Sequence, residues 1–262
     1  MIEPIVIGRR IRYFRKGAGM SQMGLEIEIG GSAGMISRIE KGKVNPSKET
    51  VLQIAKVLGM NDREVDYVIG SLVKPASEEE IRNAVEAVAD HYSQNNVYAY
   101  LLDDRFRILH VSKGFENMFR KVLDNYDELL EKIIGDSVVA MMVDDSYGVT
   151  PFIKTKNYQE MMFYQLARVK RHMGFMKDDK WYKRIENVLG SDPDLLKLWE
   201  KADVKEINFN SLETRRIPLK IGGMEINMTL YREPQWKYPR FETVEYVPNN
   251  RFLRIVKSLI AK

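Results

Sequence analysis

The sequence predicts an α+β protein with an all-α first domain and a mixed second domain. Three observations support this fold class. Residues 1–72 contain short amphipathic segments separated by glycines and helix-capping residues. Residues 97–112 and 212–248 change to the β-branched and aromatic pattern of strands. The segments between them return to helical spacing, so we expect an antiparallel sheet and several helices in residues 95–262.

Five helices are predicted in residues 1–72. The first carries Ile7, Ile11 and Phe14 on one face and ends at the glycines of residues 17–19. The other four each begin at a side chain that can cap a helix, namely Ser21, Ser32, Ser47 and Asn61. The third helix is expected over residues 32–41. Short helices joined by a tight turn after a glycine form a helix-turn-helix plan.

Residues 73–94 are predicted as a linker followed by a connector helix. Pro75 interrupts the chain, and Ser77 with Glu80 forms a capping box at the start of a helix over residues 78–92. In the second domain we expect a hairpin over residues 97–112, a second one over 212–233 with its turn at Gly222 and Gly223, and a strand over 241–248. The predicted helices there cover residues 113–123, 125–135, 157–174, 178–190, 191–204 and 249–261.

The positive charge of the chain is concentrated at its start. The formal net charge is +4, and residues 1–60 hold ten Lys and Arg against five Glu. The remainder is nearly neutral. A basic module on a neutral body suggests a polyanionic partner, although a chance surface bias would give the same distribution.

Composition argues against several classes of protein. Cysteine is absent, which excludes disulfides and thiolate chemistry, and the three histidines are far apart in sequence, so we expect no metal site. No apolar run approaches the ~18 residues that a membrane span needs, and the N-terminus lacks the apolar core of a signal peptide. We therefore expect a cytoplasmic protein without a membrane partner.

Residues 21–47, SQMGLEIEIGGSAGMISRIEKGKVNPS, resemble the Cro/phage-repressor type of helix-turn-helix, the XRE family. The family reads Ser-Gln, Leu, a turn glycine, a Ser/Thr cap, Ile-Ser-Arg-Ile-Glu, a basic residue, Gly and Asn-Pro-Ser. Residues 7–15, IGRRIRYFR, fit its first helix. The resemblance implies a transcriptional regulator whose partner is double-stranded DNA.

The third helix would then lie in the major groove of DNA. The residues expected to contact bases or phosphates are Gln22, Ser32, Ala33, Gly34, Ser37, Arg38, Lys41, Lys43 and Asn45. Among them, Gln22 is expected to donate to a phosphate. The resemblance also implies a structural ion pair between Arg15 and Glu40.

Four residues depart from the XRE pattern. Glu26 stands where the family usually has Ala, Gly31 where it has an apolar residue, and Ala33 and Gly34 where base-reading side chains often lie. Either base recognition depends on Arg38, DNA shape and phosphates, or the module is degenerate and docks a protein partner.

The second domain resembles the MmyB-like regulators, whose C-terminal half is a PAS-like ligand-binding domain. Residues 195–204, LLKLWEKADV, and 215–231, RRIPLKIGGMEINMTLY, carry the resemblance, and 100–112, YLLDDRFRILHVS, fits the first hairpin. It implies a small apolar ligand, such as a fatty acid. The residues that could line its pocket are Tyr100, Met141, Met142, Met161, Met162, Phe163 and Trp199. Each of them could equally be plain core.

No catalytic motif is present, so we expect no enzyme. The carboxylates of residues 103–104, 144–145 and 178–179 are adjacent in sequence, a pattern that usually marks solvated turns, and no histidine lies close to them in sequence. A single helix-turn-helix makes few contacts with DNA. We therefore expect a homodimer, formed through the second domain and the helix of residues 78–92.

Overall fold

The chain forms two compact units, Met1–Pro75 and Ala76–Lys262. The computed structural model describes residues 3–70, 74–121, 123, 125–154, 158–177, 179–202, 214–221 and 224–248. Within these ranges no helix combines the length and the apolar character that crossing a membrane requires.

Five helices make up the described part of the first unit. They are α1 (Pro4–Gly17), α2 (Gln22–Glu28), α3 (Met35–Glu40), α4 (Lys48–Leu58) and α5 (Asp62–Ile69). Three of the predicted caps are present, since the side chains of Ser21, Ser47 and Asn61 accept backbone amides at the starts of α2, α4 and α5. The fully buried core includes Ile11, Leu25, Ile36, Ile54 and Val68.

The second unit contains helices and an antiparallel sheet, as the α+β prediction requires. Its helices are α6 (Glu78–Tyr92), α7 (Lys113–Phe119), α8 (Tyr126–Ile133), α9 (Val138–Val143), α10 (Thr150–Ile153), α11 (Tyr158–Met173), α12 (Lys180–Gly190) and α13 (Pro193–Lys201), with a 3₁₀ turn at Asp145–Tyr147. The sequence did not predict α9, α10 or the 3₁₀ turn, because elements this short show no periodicity. The predicted helix over residues 249–261 lies outside the described residues.

Five strands form one sheet in the order β2-β1-β5-β4-β3, with every pair antiparallel. They are β1 (Ala99–Asp103), β2 (Ile108–Val111), β3 (Thr214–Ile221), β4 (Met224–Pro234) and β5 (Phe241–Pro248). Both predicted hairpins are present, although the proposed turn at Gly222–Gly223 lies outside the described residues. Tyr100 and Arg232 both pair with Val244, so these three residues point to one face of the sheet.

Helix α6 belongs to the second unit. Residues 73–94 were predicted as a linker followed by a connector helix, but the apolar side of α6 is buried in the cluster formed with the sheet. Ala84 is fully buried there together with Leu101 and Phe241. Packing occurs because Ile81, Ala84, Val85 and Val88 recur at helical spacing, which makes a stripe wide enough to cover a sheet face.

The turn between β1 and β2 is buried, in contrast to the solvated turn expected for adjacent carboxylates. Asp103 and Asp104 are 4% and 6% exposed, and Arg105 is 1% exposed. Arg105 donates to Asp104 at 2.8 Å and to Asp179 at 3.2 Å, while Arg107 donates to Asp103 at 2.7 Å. Burial raises the pKa of Asp103, and the neighbouring Arg107 opposes that rise. The charges are buried because each carboxylate has an arginine partner.

Candidate functional site

The turn before α3 differs from the prediction. Gly34 has a φ of +77° and is the residue immediately before the first helical residue, Met35. A left-handed residue cannot lie inside a right-handed helix, so α3 cannot begin at Ser32. The expectation of a helix over residues 32–41 capped by Ser32 was therefore wrong. Ala33 and Gly34 lie in the turn that leads into α3.

Glu26 supplies the cap that Ser32 does not. Its carboxylate accepts the backbone amide of Gly34 at 3.0 Å and that of Ile36 at 2.8 Å. Glu26 is 7% exposed and lies on α2, so one buried side chain joins the two helices of the motif. This explains a departure from the XRE pattern, because the carboxylate satisfies amides that the helix itself cannot pair.

A second buried network holds the end of α3 against α1. Arg15 donates to both oxygens of Glu40, at 2.6 Å and 3.0 Å, and also to the carbonyl of Met20 at 2.6 Å. Gln22 donates to Glu40 at 2.6 Å. The side chain expected to bind a phosphate is thus engaged inside the protein, where it completes the hydrogen bonding of Glu40.

Gly8 allows α1 and α3 to touch. A Cβ atom at this position would lie 2.1 Å from the carbonyl oxygen of Ile39 and 2.9 Å from the Cα of Glu40. These are backbone atoms, which cannot move aside as a flexible side chain does. A residue without a side chain is therefore required where the two helices meet.

The remaining predicted DNA-contacting residues form a polar edge along α3 and its flanking turns. Ser32, Ala33, Arg38, Lys41, Lys43 and Asn45 are exposed, whereas Gly34 and Ser37 are half-buried. The guanidinium of Arg38 turns back toward the preceding turn, donating to the carbonyl of Ala33 at 3.3 Å and to the hydroxyl of Ser32 at 3.4 Å. The edge therefore carries three exposed cations beside small polar groups.

Comparison with known proteins agrees with this geometry. Residues 6–68 match a family model described as a helix-turn-helix domain. The first unit contains a helix-turn-helix domain. The match indicates a DNA-binding regulator. A search of curated proteins found no match to the chain.

Gly31 of the helix-turn-helix domain lies beneath Met35 of α3. A Cβ atom there would approach the terminal methyl of Met35 to 2.5 Å, and that flexible end can move aside. The structure therefore explains the departures at Glu26 and Gly34, which shape the turn between α2 and α3, and gives no steric reason for glycine at residue 31.

Outside the helix-turn-helix domain, the second unit contains a cavity of about 80 Å³ on the face of the sheet opposite α6. Four of the predicted ligand residues line it, namely Tyr100, Met141, Met142 and Met161. The other three, Met162, Phe163 and Trp199, are not among the described residues of the lining. Met162 lies one residue beyond Met161 on α11 and therefore faces elsewhere, and Trp199 packs against Tyr182, with ring centroids 6.2 Å apart.

Of the polar residues of the cavity, sequence reasoning found Tyr100 and missed Tyr126, Gln165 and Tyr246. The hydroxyls of Tyr100 and Tyr246 are 3.4 Å apart, and burial raises the pKa of both tyrosines. Gln165 also lines the cavity and accepts a hydrogen bond from Arg232 at 2.9 Å. One signal was available, since Gln165 follows Met161 by four residues and so shares its helix face.

Neither isolated histidines nor acidic clusters add a further site. Among the residues that the structure describes, no three His, Asp or Glu side chains are grouped so that they could hold a metal ion. His110 stacks on Tyr92 with ring centroids 5.7 Å apart, and His172 meets Phe106 edge-on at 5.8 Å. These two histidines are packed on aromatic rings.

Proposed function

We propose that the chain is a dimeric transcriptional regulator of the XRE class, with a PAS-like, MmyB-like second unit that responds to a small apolar ligand. The helix-turn-helix match over residues 6–68, with the exposed polar edge of α3, is the observation that carries the proposal. The proposed role is binding without catalysis, and its action on DNA implies a cytoplasmic location.

Arg38 is the proposed base-reading residue. Its two contacts, at 3.3 Å and 3.4 Å, are long and exposed, so a base edge can replace them at little cost. Arginine donates a pair of parallel hydrogen bonds that match guanine. Ser37 and the turn residues Ser32, Ala33 and Gly34 would follow the groove, adding few base contacts of their own.

Lys41, Lys43 and Asn45 are the proposed phosphate contacts. They follow α3 directly and are exposed, as cations and amides that meet a DNA backbone must be. Gln22 is assigned a different role from the one first expected. Its bond to Glu40 supports the ion pair that orients α3.

Duplex binding as a function of salt tests the DNA-binding part of the proposal. A preferred duplex would be selected from a random pool, and its affinity for the full chain followed by fluorescence anisotropy. Neutralising several phosphates makes the logarithm of affinity fall linearly with the logarithm of salt concentration. An affinity that is unmeasurable at low salt, or independent of salt, would count against DNA as the partner.

A homodimer is proposed because one helix-turn-helix offers few contacts, and two linked copies on a two-fold site add their binding free energies. The second unit and α6 are the proposed dimer elements. Analytical ultracentrifugation of the full chain with and without the selected duplex would test this. A monomer in both conditions would contradict it.

Ligand control is proposed through a shift in the spacing of the two α3 helices when the cavity is filled. The apolar lining, with three of the four predicted methionines, supports this part. Extraction of the purified protein into organic solvent, followed by mass spectrometry, would identify any co-purified apolar molecule.

A protein-docking function is the second candidate, and one observation favours it. Met23 and Ile27 lie four residues apart on α2 and are 69% and 71% exposed, which is unusual for apolar side chains. Replacing both with serine should leave DNA affinity unchanged if DNA is the partner of α3. Loss of binding to a protein partner, without any salt-dependent DNA binding, would support the second candidate.

A further inference from the structure

The hydroxyl of Tyr126 is buried in the cavity wall without a hydrogen-bond partner among the described residues. Tyr126 is 3% exposed. Its ring is held between neighbours, stacked on Phe119 with centroids 6.3 Å apart and beneath the guanidinium of Arg120 at 5.6 Å. An unpaired buried hydroxyl is unfavourable, so the Tyr126 hydroxyl is a candidate hydrogen-bonding group for a ligand of this cavity.

The described lining of the cavity carries no charged side chain. Its polar groups are the hydroxyls of Tyr100, Tyr126 and Tyr246 and the amide of Gln165. A carboxylate placed there would lose its hydration without gaining a cation in contact, which is strongly unfavourable. An uncharged ligand oxygen loses its hydrogen bond to water on entering the cavity, and one hydrogen bond from the protein replaces it.

Arg232 is not a residue of the described lining, although its positive charge opposes the rise in the pKa of Tyr100 and Tyr246. Its guanidinium donates to Oε1 of Gln165 at 2.9 Å. That bond fixes the orientation of the side-chain amide and leaves Nε2 as the donor of Gln165. The arginine thus orients a neutral donor.

The size of the cavity also restricts the ligand. One water molecule needs roughly 10–15 Å³ of such space, so about 80 Å³ accommodates a compact group of atoms. Four methionines, Met118, Met141, Met142 and Met161, can adapt to its shape. An extended acyl chain would require the walls to separate.

We propose that the cavity binds a compact, uncharged and mostly hydrocarbon molecule whose single oxygen is bound by the Tyr126 hydroxyl. The inference rests on the proposed function, in which this cavity is the sensor site, and it narrows the class of ligand. It differs from the fatty acid that the MmyB-like resemblance implies, because the described lining offers no cation for a carboxylate.

Two probes of nearly equal shape test the role of charge. Cyclohexyl methyl ketone and cyclohexanecarboxylate differ mainly in that the second is an anion. Each would be added at equal concentration to the full chain, and thermal unfolding followed by tryptophan fluorescence. All three tryptophans belong to the second unit, so the signal reports the unit that holds the cavity. The ketone should raise Tm, and the carboxylate should leave it unchanged.

Tyr126→Phe tests the hydroxyl itself. Removing an unpartnered hydroxyl should leave the ligand-free protein as stable as before, or more so. Binding of the ketone, measured from its dose-dependent effect on Tm, should weaken about three- to tenfold, the value of one hydrogen bond. Tyr231→Phe is the matched control, because Tyr231 is 45% exposed and is not a residue of the described cavity lining.

Three results would overturn the inference. In the first, the carboxylate raises Tm as much as the ketone does. In the second, the ketone leaves Tm unchanged. In the third, Tyr126→Phe binds the ketone with unaltered affinity. The last would mean that the hydroxyl holds only water. All three are measured without DNA. If the ketone binds but leaves affinity for the selected duplex unchanged, ligand control of DNA binding fails while the ligand class stands.

Discussion

The backbone amide of Ile36 donates to the carboxylate of Glu26 at 2.8 Å, so a side chain of α2 caps the first turn of α3. The second oxygen of Glu26 accepts the amide of Gly34 at 3.0 Å. Because α3 has only six residues, it has few hydrogen bonds of its own to fix its direction. The angle between the two helices of the motif therefore depends on this carboxylate.

Glu26→Ala should loosen α3 and weaken duplex binding. Loss of the carboxylate leaves two amides without their partner, and we expect the first unit to lose about 1–3 kcal/mol of stability. Hydrogen exchange of the full chain, read by mass spectrometry, should show faster exchange in peptides that contain Gly34 and Ile36. Affinity for the selected duplex should fall in parallel.

Glu28→Ala is the matched control for this prediction. Glu28 is also an acidic residue of α2, but it is exposed. Its replacement removes the same charge and should leave exchange around α3 unchanged. Equal effects of the two substitutions would mean that the charge of α2, and not the cap, determines duplex binding.

Gly8→Ala should separate α1 from α3. The added Cβ atom would lie 2.1 Å from the carbonyl oxygen of Ile39, and we expect a loss of about 1–3 kcal/mol for such overpacking. Gly17→Ala is the control, since no atom lies within 4 Å of a Cβ at that position, and alanine favours helix. Urea unfolding followed by circular dichroism should show a lower midpoint for Gly8→Ala only. A normal midpoint for Gly8→Ala would contradict the close contact.

The first unit was predictable from sequence apart from the turn between α2 and α3. Capping serines, apolar spacing and glycines are local signals, and they indicated each of the five helices. Ser32 had the same local signal as Ser21 and Ser47, but the left-handed φ of Gly34 lies between Ser32 and the helix. Nothing local showed that Glu26, eight residues earlier than Gly34, would provide the cap.

The cavity was less predictable because its residues are brought together by the sheet. Tyr100 and Tyr246 are far apart in the chain and meet only because β5 pairs with β1. Composition drew attention to methionines, and Met141, Met142 and Met161 do line the cavity. It could not distinguish Met161 from Met162, which is buried on another side of α11, since helix phase depends on what the helix packs against.

Arg38→Ala and Lys43→Ala should affect duplex binding in different ways. The first removes the proposed base contact, so it should reduce discrimination between the selected duplex and a single-base variant by about 1–3 kcal/mol. The second removes a phosphate contact, so it should weaken all duplexes alike and reduce the salt slope by about one. Anisotropy titrations over a series of salt concentrations measure both quantities.

These two substitutions also provide their own control. Both residues are exposed, so neither change should alter unfolding of the chain. Unchanged affinity and base preference in both variants would exclude the polar edge of α3 as the DNA-contacting surface. Uniform weakening by Arg38→Ala would instead make Arg38 a phosphate contact.

Stability of the second unit should begin to fall as pH drops through 6.5, and His110 is a cause. Burial lowers the pKa of His110 below its ordinary value of 6.5, against the opposing effect of Glu116, and its ring stacks on Tyr92. As pH falls, the unfolded chain therefore takes up a proton at this position before the folded chain does, which favours unfolding. Tm read by tryptophan fluorescence should decline as pH falls.

His110→Phe tests this cause, because phenylalanine keeps an aromatic ring on Tyr92 and does not titrate. It should reduce the decline in Tm. His91→Gln leaves His110 in place and should retain the decline. An identical decline in wild type and His110→Phe would assign the pH dependence to other groups.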